Sequence, residues 1–142
     1  MSVWYKRLFA FLVLTTFPTS GASGVQGPES RNLIQKEMAA LDSALKTTVD
    51  ALVLNDPGRI SLAFDEVEGI RGQIELSIKD GSWITLPKNQ KRFKEFLRLD
   101  NKFHRDIAIL INASRKNHMD VVQREAHKLI DACIRCHTIF RD

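Results

Sequence analysis

The chain predicts an all-α protein, an antiparallel four-helix bundle. Two observations carry this. Apolar residues recur at three- and four-residue intervals through four stretches of roughly twenty residues each, and short breaks containing Gly, Pro or Asn separate the stretches. Nowhere does a period of two run long enough for a sheet, and helical stretches joined by short loops pack as a bundle. The 142 residues are one domain's worth, and 44% hydrophobic residues is an ordinary share for a globular core.

Residues 1–24 have the three parts of a secretory signal: Lys6 and Arg7, an apolar run from Leu8 to Phe17, and small residues from Pro18 to Gly24. The run is too short to span a bilayer, so a leader cleaved after Ala22 or Gly24 is expected, with an uncleaved anchor as the alternative. Residues 25–142 are then the exported domain, and the periplasm its expected location. Without Lys6 and Arg7, 19 of the 21 basic side chains face 17 acidic ones, a balance of +2 that makes no case for nucleic acid.

The first helix is expected from about Glu29 to Leu54, opening at Pro28 and Glu29. Its stripe is Ile34, Met38, Leu41, Leu45, Val49 and Leu52. Asn55-Asp56-Pro57-Gly58 breaks it, with Asp56 as the expected cap of the next helix. That second helix, Pro57 to Lys79, carries Ile60, Phe64, Val67, Ile70, Ile74 and Ile78. Its Gly69 and Gly72 lower its intrinsic stability and allow close approach of a neighbouring helix or of the edge of a bound group. Asp80-Gly81-Ser82 ends it, and an extended connection follows in which Trp83 and Leu86 are expected to cover one end of the core. The third helix, Lys88 to Ala113, presents Phe93, Phe96, Leu97, Phe103, Ile107, Leu110 and Ile111. Asp100 and His104 lie four apart at the edge of that stripe, where they can hydrogen-bond. The fourth helix, Asp120 to Phe140, turns Val122, Ala126, Leu129, Cys133, Cys136 and His137 inward.

This last helix holds the run with chemistry in it. Cys133-Ile134-Arg135-Cys136-His137 is C-x-x-C-H, and the chain's only two cysteines are in it. Thiols three positions apart share one side of a helical turn and can each add to a vinyl group of haem, while the adjoining imidazole binds the iron. A zinc site would need two further ligands at matching spacing, and a thioredoxin-like pair would need a βαβ context. Neither is visible, which leaves an exported dithiol or disulfide as the other reading. Covalent attachment of this kind takes place outside the bacterial inner membrane, so the leader supports the motif independently.

With a leader, four helices and this terminal motif, the chain resembles the cytochrome c′ family, including its low-spin members. Cys133 to Arg141 matches the family's C-x-x-C-H-x-x-F-R, and Gln35-Lys36-Glu37-Met38 is similar to its Gln-x-x-Met. The resemblance implies one covalently attached haem c on Cys133 and Cys136, His137 as proximal iron ligand, Met38 as candidate distal ligand, and a possible homodimer through the first two helices. Ile34 departs from the family's arginine near a haem propionate, so Arg31, Lys88 or Lys91 is expected to take that role. The tryptophan common in the family's second and third helices has no counterpart there, since Trp83 falls in a loop.

The sixth ligand separates the functional readings. A methionine thioether gives low-spin haem suited to electron transfer, and Met38 lies on the first stripe. An apolar distal side leaves the iron open to nitric oxide or carbon monoxide. His104 could ligate in place of Met38. His118 and Met119 read as solvated before the last helix, and His127 points elsewhere. Arg141, one turn beyond His137, tunes that histidine or caps the helix. A peroxide-reducing enzyme would need a distal acid–base pair, for which only Asp100 and His104 are in view. The expectation is therefore a periplasmic one-electron carrier working with redox partner proteins, not an enzyme; the alternative is a five-coordinate gas binder. Lys88, Lys91, Arg92 and Lys94 form a cluster suited to an acidic partner or simply a solvated face.

Overall fold

A computed structural model describes residues 29–81 and 84–141, with side chains from Leu33 onward. The leader, Pro28, the Arg31 side chain and Trp83 lie outside the described residues. Five α-helices form: α1 (Glu29–Leu54), α2 (Gly58–Ala63), α3 (Asp65–Lys79), α4 (Phe93–Arg115) and α5 (Met119–Phe140), with a 3₁₀ turn at Gln90–Arg92. Only Phe64 separates α2 from α3, so the chain makes four helical lengths, and no strand occurs among the described residues.

The breaks are built from asparagines in the left-handed region. Asn55 (φ 52°) ends α1 and Asn117 (φ 57°) ends α4. At each the next two backbone N–H groups turn back into the helix: Asn55 to Leu52 and Asp56 to Ala51, Asn117 to Ser114 and His118 to Ala113. These are Schellman closures, satisfying carbonyls the helix end would otherwise leave bare. Gly81 (φ 78°) plays the same conformational part after α3.

Several expected boundaries shift. The second helix is not continuous: at Phe64, whose ring is wholly buried, the N–H donates three residues back to the Ser61 carbonyl, a tightened 3₁₀-like step. Asp56 does not cap α2, because Pro57 occupies the cap position and no side chain bonds there. No neighbour closes on Gly69 or Gly72, where an added Cβ would meet nothing within 4 Å. The third long helix starts at Phe93 instead of Lys88, since Asn89 (φ 57°) interrupts the backbone first. Before it, the connection is clasped by Gln90, whose Oε1 accepts from the Leu86 N–H at 2.7 Å and whose Nε2 donates to the Ile84 carbonyl at 3.0 Å. Ile84 and Leu86 are buried as a result.

The inward face of α1 is not centred on its large apolar residues. Glu37, Ala40, Leu41, Ala44, Thr48 and Ala51 are buried, whereas Ile34, Leu45 and Leu52 are half-buried and Met38 and Val49 are 37% and 46% exposed. Small side chains let α1 approach its neighbours closely, and the larger ones are displaced to its flank. The Thr48 hydroxyl is reabsorbed by the Ala44 carbonyl at 2.9 Å, so a polar residue fits this face.

α1 packs on α2, α3 and α5, and α4 packs on α2 and α5, but every Cα of α3 stays more than 8 Å from α4. The second helical length thus meets α4 through its first part and parts from it beyond Phe64. Where it is closed, the interior is apolar: Ala44, Ala51, Ile60, Phe64, Ile107, Leu110, Val122 and Leu129 are all wholly buried. None of the described helices is long and apolar enough to cross a membrane.

This placement of the α1 face gives an unequal pair of substitutions. Ala44→Leu should destabilise the fold by about 1–3 kcal/mol through overpacking, while Val49→Ala should stay within about 1 kcal/mol. Urea unfolding of the two variants checks this; a larger loss at Val49 would restore the stripe read from the sequence.

Candidate functional site

At the end where α3 leaves α4, the interior is polar. Glu37 of α1 is 2% exposed, and its carboxylate lies 3.2 Å from Nε2 of His104 on α4. Asp100, one turn earlier on α4, is 3.7 Å from the same nitrogen, and Glu68 of α3 is 3.6 Å from Nδ1. None of these approaches is aligned for a hydrogen bond, so both ring nitrogens of His104 are buried without one. The expected Asp100–His104 pair therefore shares a helix face but not a bond.

Arg71 of α3 spans the gap to α4. Its Nη2 donates to Asn101 Oδ1 at 2.9 Å, its Nε to Glu75 at 2.9 Å, and its Nη1, 3.9 Å from Asp100, is buried without a hydrogen bond. Glu37, Asp100 and His104 each offer one atom, all within 4.8 Å of one another, so these three could hold a metal. Burial is the main cause that pushes the Asp100 carboxyl up to about 6, reinforced by Glu37 and Glu75 and opposed by His104 and Arg71.

The motif on α5 reaches the same end. Phe140 is buried, with its ring edge-on to Phe96 of α4 at 5.5 Å, and the Arg92 guanidinium lies 6.0 Å from its centroid. The Asn89 side chain donates to the Ile139 carbonyl, fastening the connection before α4 to the end of α5. Further along, Leu99, Lys102, Phe103 and Asp106 meet Lys128, Asp131, Ala132 and Arg135 around a shallow cavity of about 110 Å³. That register sets the level of His104 beside Ala132 and Cys133.

Cys133, Cys136 and His137 are each half-buried, while Ile134 and Arg135 between them are exposed. Both thiols are free. Burial raises the Cys133 pKa, and burial together with the nearby Asp100 carboxylate pushes Cys136 up to about 11. A redox dithiol needs a depressed pKa to make its thiolate, so this environment disfavours that reading. Burial, then the Arg141 charge, lower the His137 pKa and favour the neutral imidazole that a metal requires.

The remaining candidates fall outside the cluster. Met38 sits 37% exposed beside the inward Glu37. Lys88 and Lys91 are exposed, as are His118, His127 and Arg141, and Met119 begins α5 partly packed on the core. Sequence reasoning missed Glu37, Glu68 and Arg71. Arg71 has a readable signal, since it stands between the inward Val67, Ile70 and Ile74 at helical spacing. No family model, curated protein or solved structure matches the chain.

The shifted Asp100 carboxyl gives a pH dependence of known sign. A folded pKa near 6 lies above the unfolded 3.8, so the folded state holds the extra proton: its stabilisation is full below pH 3.8 and is lost as pH rises through 6. Asp100→Asn should flatten that decline and raise stability at pH 7.5 by on the order of 2 kcal/mol. Denaturant titrations at pH 4.5, 6 and 7.5 measure it; parallel pH profiles for the two proteins would refute the assignment.

Proposed function

We propose that the chain is a periplasmic monohaem c-type cytochrome, an antiparallel four-helix bundle of the cytochrome c′ kind that carries single electrons between redox partners. The observation that supports it most is the setting of C-x-x-C-H on α5: two thiols and an imidazole are half-buried together, and Asp100 of the polar cluster is near enough to Cys136 to raise its pKa. The surrounding groups fit haem. Three buried nitrogen atoms lack hydrogen bonds there, two on His104 suited to a metal and one on Arg71 suited to a propionate.

In this reading Cys133 and Cys136 hold the porphyrin as thioethers and His137 binds the iron. The bound haem supplies reversible one-electron chemistry, so the chain is a carrier and needs no acid–base machinery. Arg71 joins Arg31, Lys88 and Lys91 as a candidate partner for a propionate. Lys88, Lys91 and Lys94 remain exposed for an acidic partner, and exposed Val49 and Val53, one turn apart on α1, offer apolar surface to a second copy. A five-coordinate protein that binds nitric oxide or carbon monoxide is the competing reading, and the exposure of Met38 favours it over simple His/Met ligation.

Expression of the whole chain alongside c-type haem assembly should yield a red protein. Its haem should survive denaturation on the polypeptide and give a c-type pyridine haemochrome at one haem per chain. Cys133→Ala with Cys136→Ala should abolish attachment. An exported, folded chain with two titratable thiols and no haem would end this proposal.

A further inference from the structure

We propose that the imidazole of His104, in place of Met38, is the sixth ligand of the haem iron. This rests on the haem reading above and deepens it by naming the distal group.

Among the described residues, His104 is the interior imidazole outside the C-x-x-C-H motif, for His118 and His127 are exposed. Its side chain is 5% exposed, and both of its nitrogens are buried without hydrogen bonds. A buried polar atom left without a hydrogen bond is costly, so a helix that fixes two of them inside the fold calls for a ligand to satisfy them. Three carboxylates surround the ring at 3.2 to 3.7 Å, two near Nε2 and one near Nδ1. Whichever nitrogen faces a metal, the other keeps an acidic neighbour. That is the arrangement by which metal-ligating histidines are oriented.

Position agrees with chemistry. The α4–α5 register that joins Phe96 to Phe140 and Phe103 to the Ala132–Arg135 turn places His104 level with the attachment cysteines. The Phe103 ring lies edge-on to the imidazole at 5.9 Å. Met38 offers neither feature: its place on the inward face of α1 is taken by Glu37, and its own side chain is 37% exposed.

The test is the spectrum of the purified holoprotein, oxidised and reduced, with near-infrared magnetic circular dichroism to identify the axial pair. The wild-type protein should be low-spin in both states, with the signature of two imidazoles and without the far-red thioether-to-iron band. Met38→Ala should leave the spectra unchanged. His104→Ala should lose the low-spin form, bind carbon monoxide, and recover the low-spin form when free imidazole is added. Should His104→Ala fail to fold, His104→Met supplies the second variant, and it should create the thioether band.

A thioether band in the wild type, a high-spin wild type, or loss of the low-spin form in Met38→Ala would each overturn His104 ligation with the haem still attached. So would a non-haem divalent metal found at one per chain on Glu37, Asp100 and His104. A chain without covalent haem would instead remove the parent reading, and this inference with it.

Discussion

The structure depends on how the fold accommodates charge inside one end of a helical bundle. Glu37, Asp100, His104 and Arg71 project from three different helices into that end, and each brings groups that need water or a partner. These groups are already withdrawn from water, and each buried polar atom left without an aligned hydrogen bond costs about 1–3 kcal/mol. α3 and α4 stay apart at this level, and Arg71 bridges them by reaching Asn101 while its Nη1 has no hydrogen bond.

What offsets that cost lies elsewhere. Ile60, Phe64, Val67, Ile107, Leu110, Val122 and Leu129 are buried to the last few square ångströms, and side chains of this size contribute about 1.5–3 kcal/mol each on burial. Phe93, Phe96, Phe140, Ile84 and Leu86 continue the same apolar core along the bundle. The polar side chains are therefore carried on helices whose packing is supplied by apolar residues. That division of labour is what a cofactor site needs: side chains held rigidly by packing they do not supply.

Much of the fold was legible in the sequence because helix ends and long periodic stretches are written locally. Asn55 and Gly81 sit where α1 and α3 stop, and the last helix was located to within a residue of Met119. The register of α1 was not legible, because hydrophobicity alone favours Met38, Leu45 and Val49 over Ala40, Ala44 and Thr48. Close packing reverses that order, for a small residue can lie at a helix contact where a large one cannot. Rotating that face carried Glu37 inward and Met38 outward, and with them the environment of the candidate site. The motif on α5 was plain from spacing, whereas the cluster on α1, α3 and α4 depends on three helices meeting, which no local pattern records.

The same geometry bears on which ligand a one-electron carrier would use. Electron transfer is fastest when the iron's surroundings change little between oxidation states, so both axial groups should ride on elements that hold their spacing. α4 and α5 are consecutive, joined by the Asn117 closure, and packed together from Phe96–Phe140 to the Asp106–Lys128 level. Ligands on these two helices are tied through the short turn at residues 116–118 that joins them. A ligand at Met38 would come from the first turns of α1, which meets α5 but has its own inward face filled by Glu37 and small residues. Bringing a thioether inward would require α1 to turn about its axis, taking Ala40, Ala44 and Thr48 out of close contacts and exposing the Glu37 carboxylate. His104 requires no such rearrangement, because its imidazole is inside already and its nitrogens make no hydrogen bond.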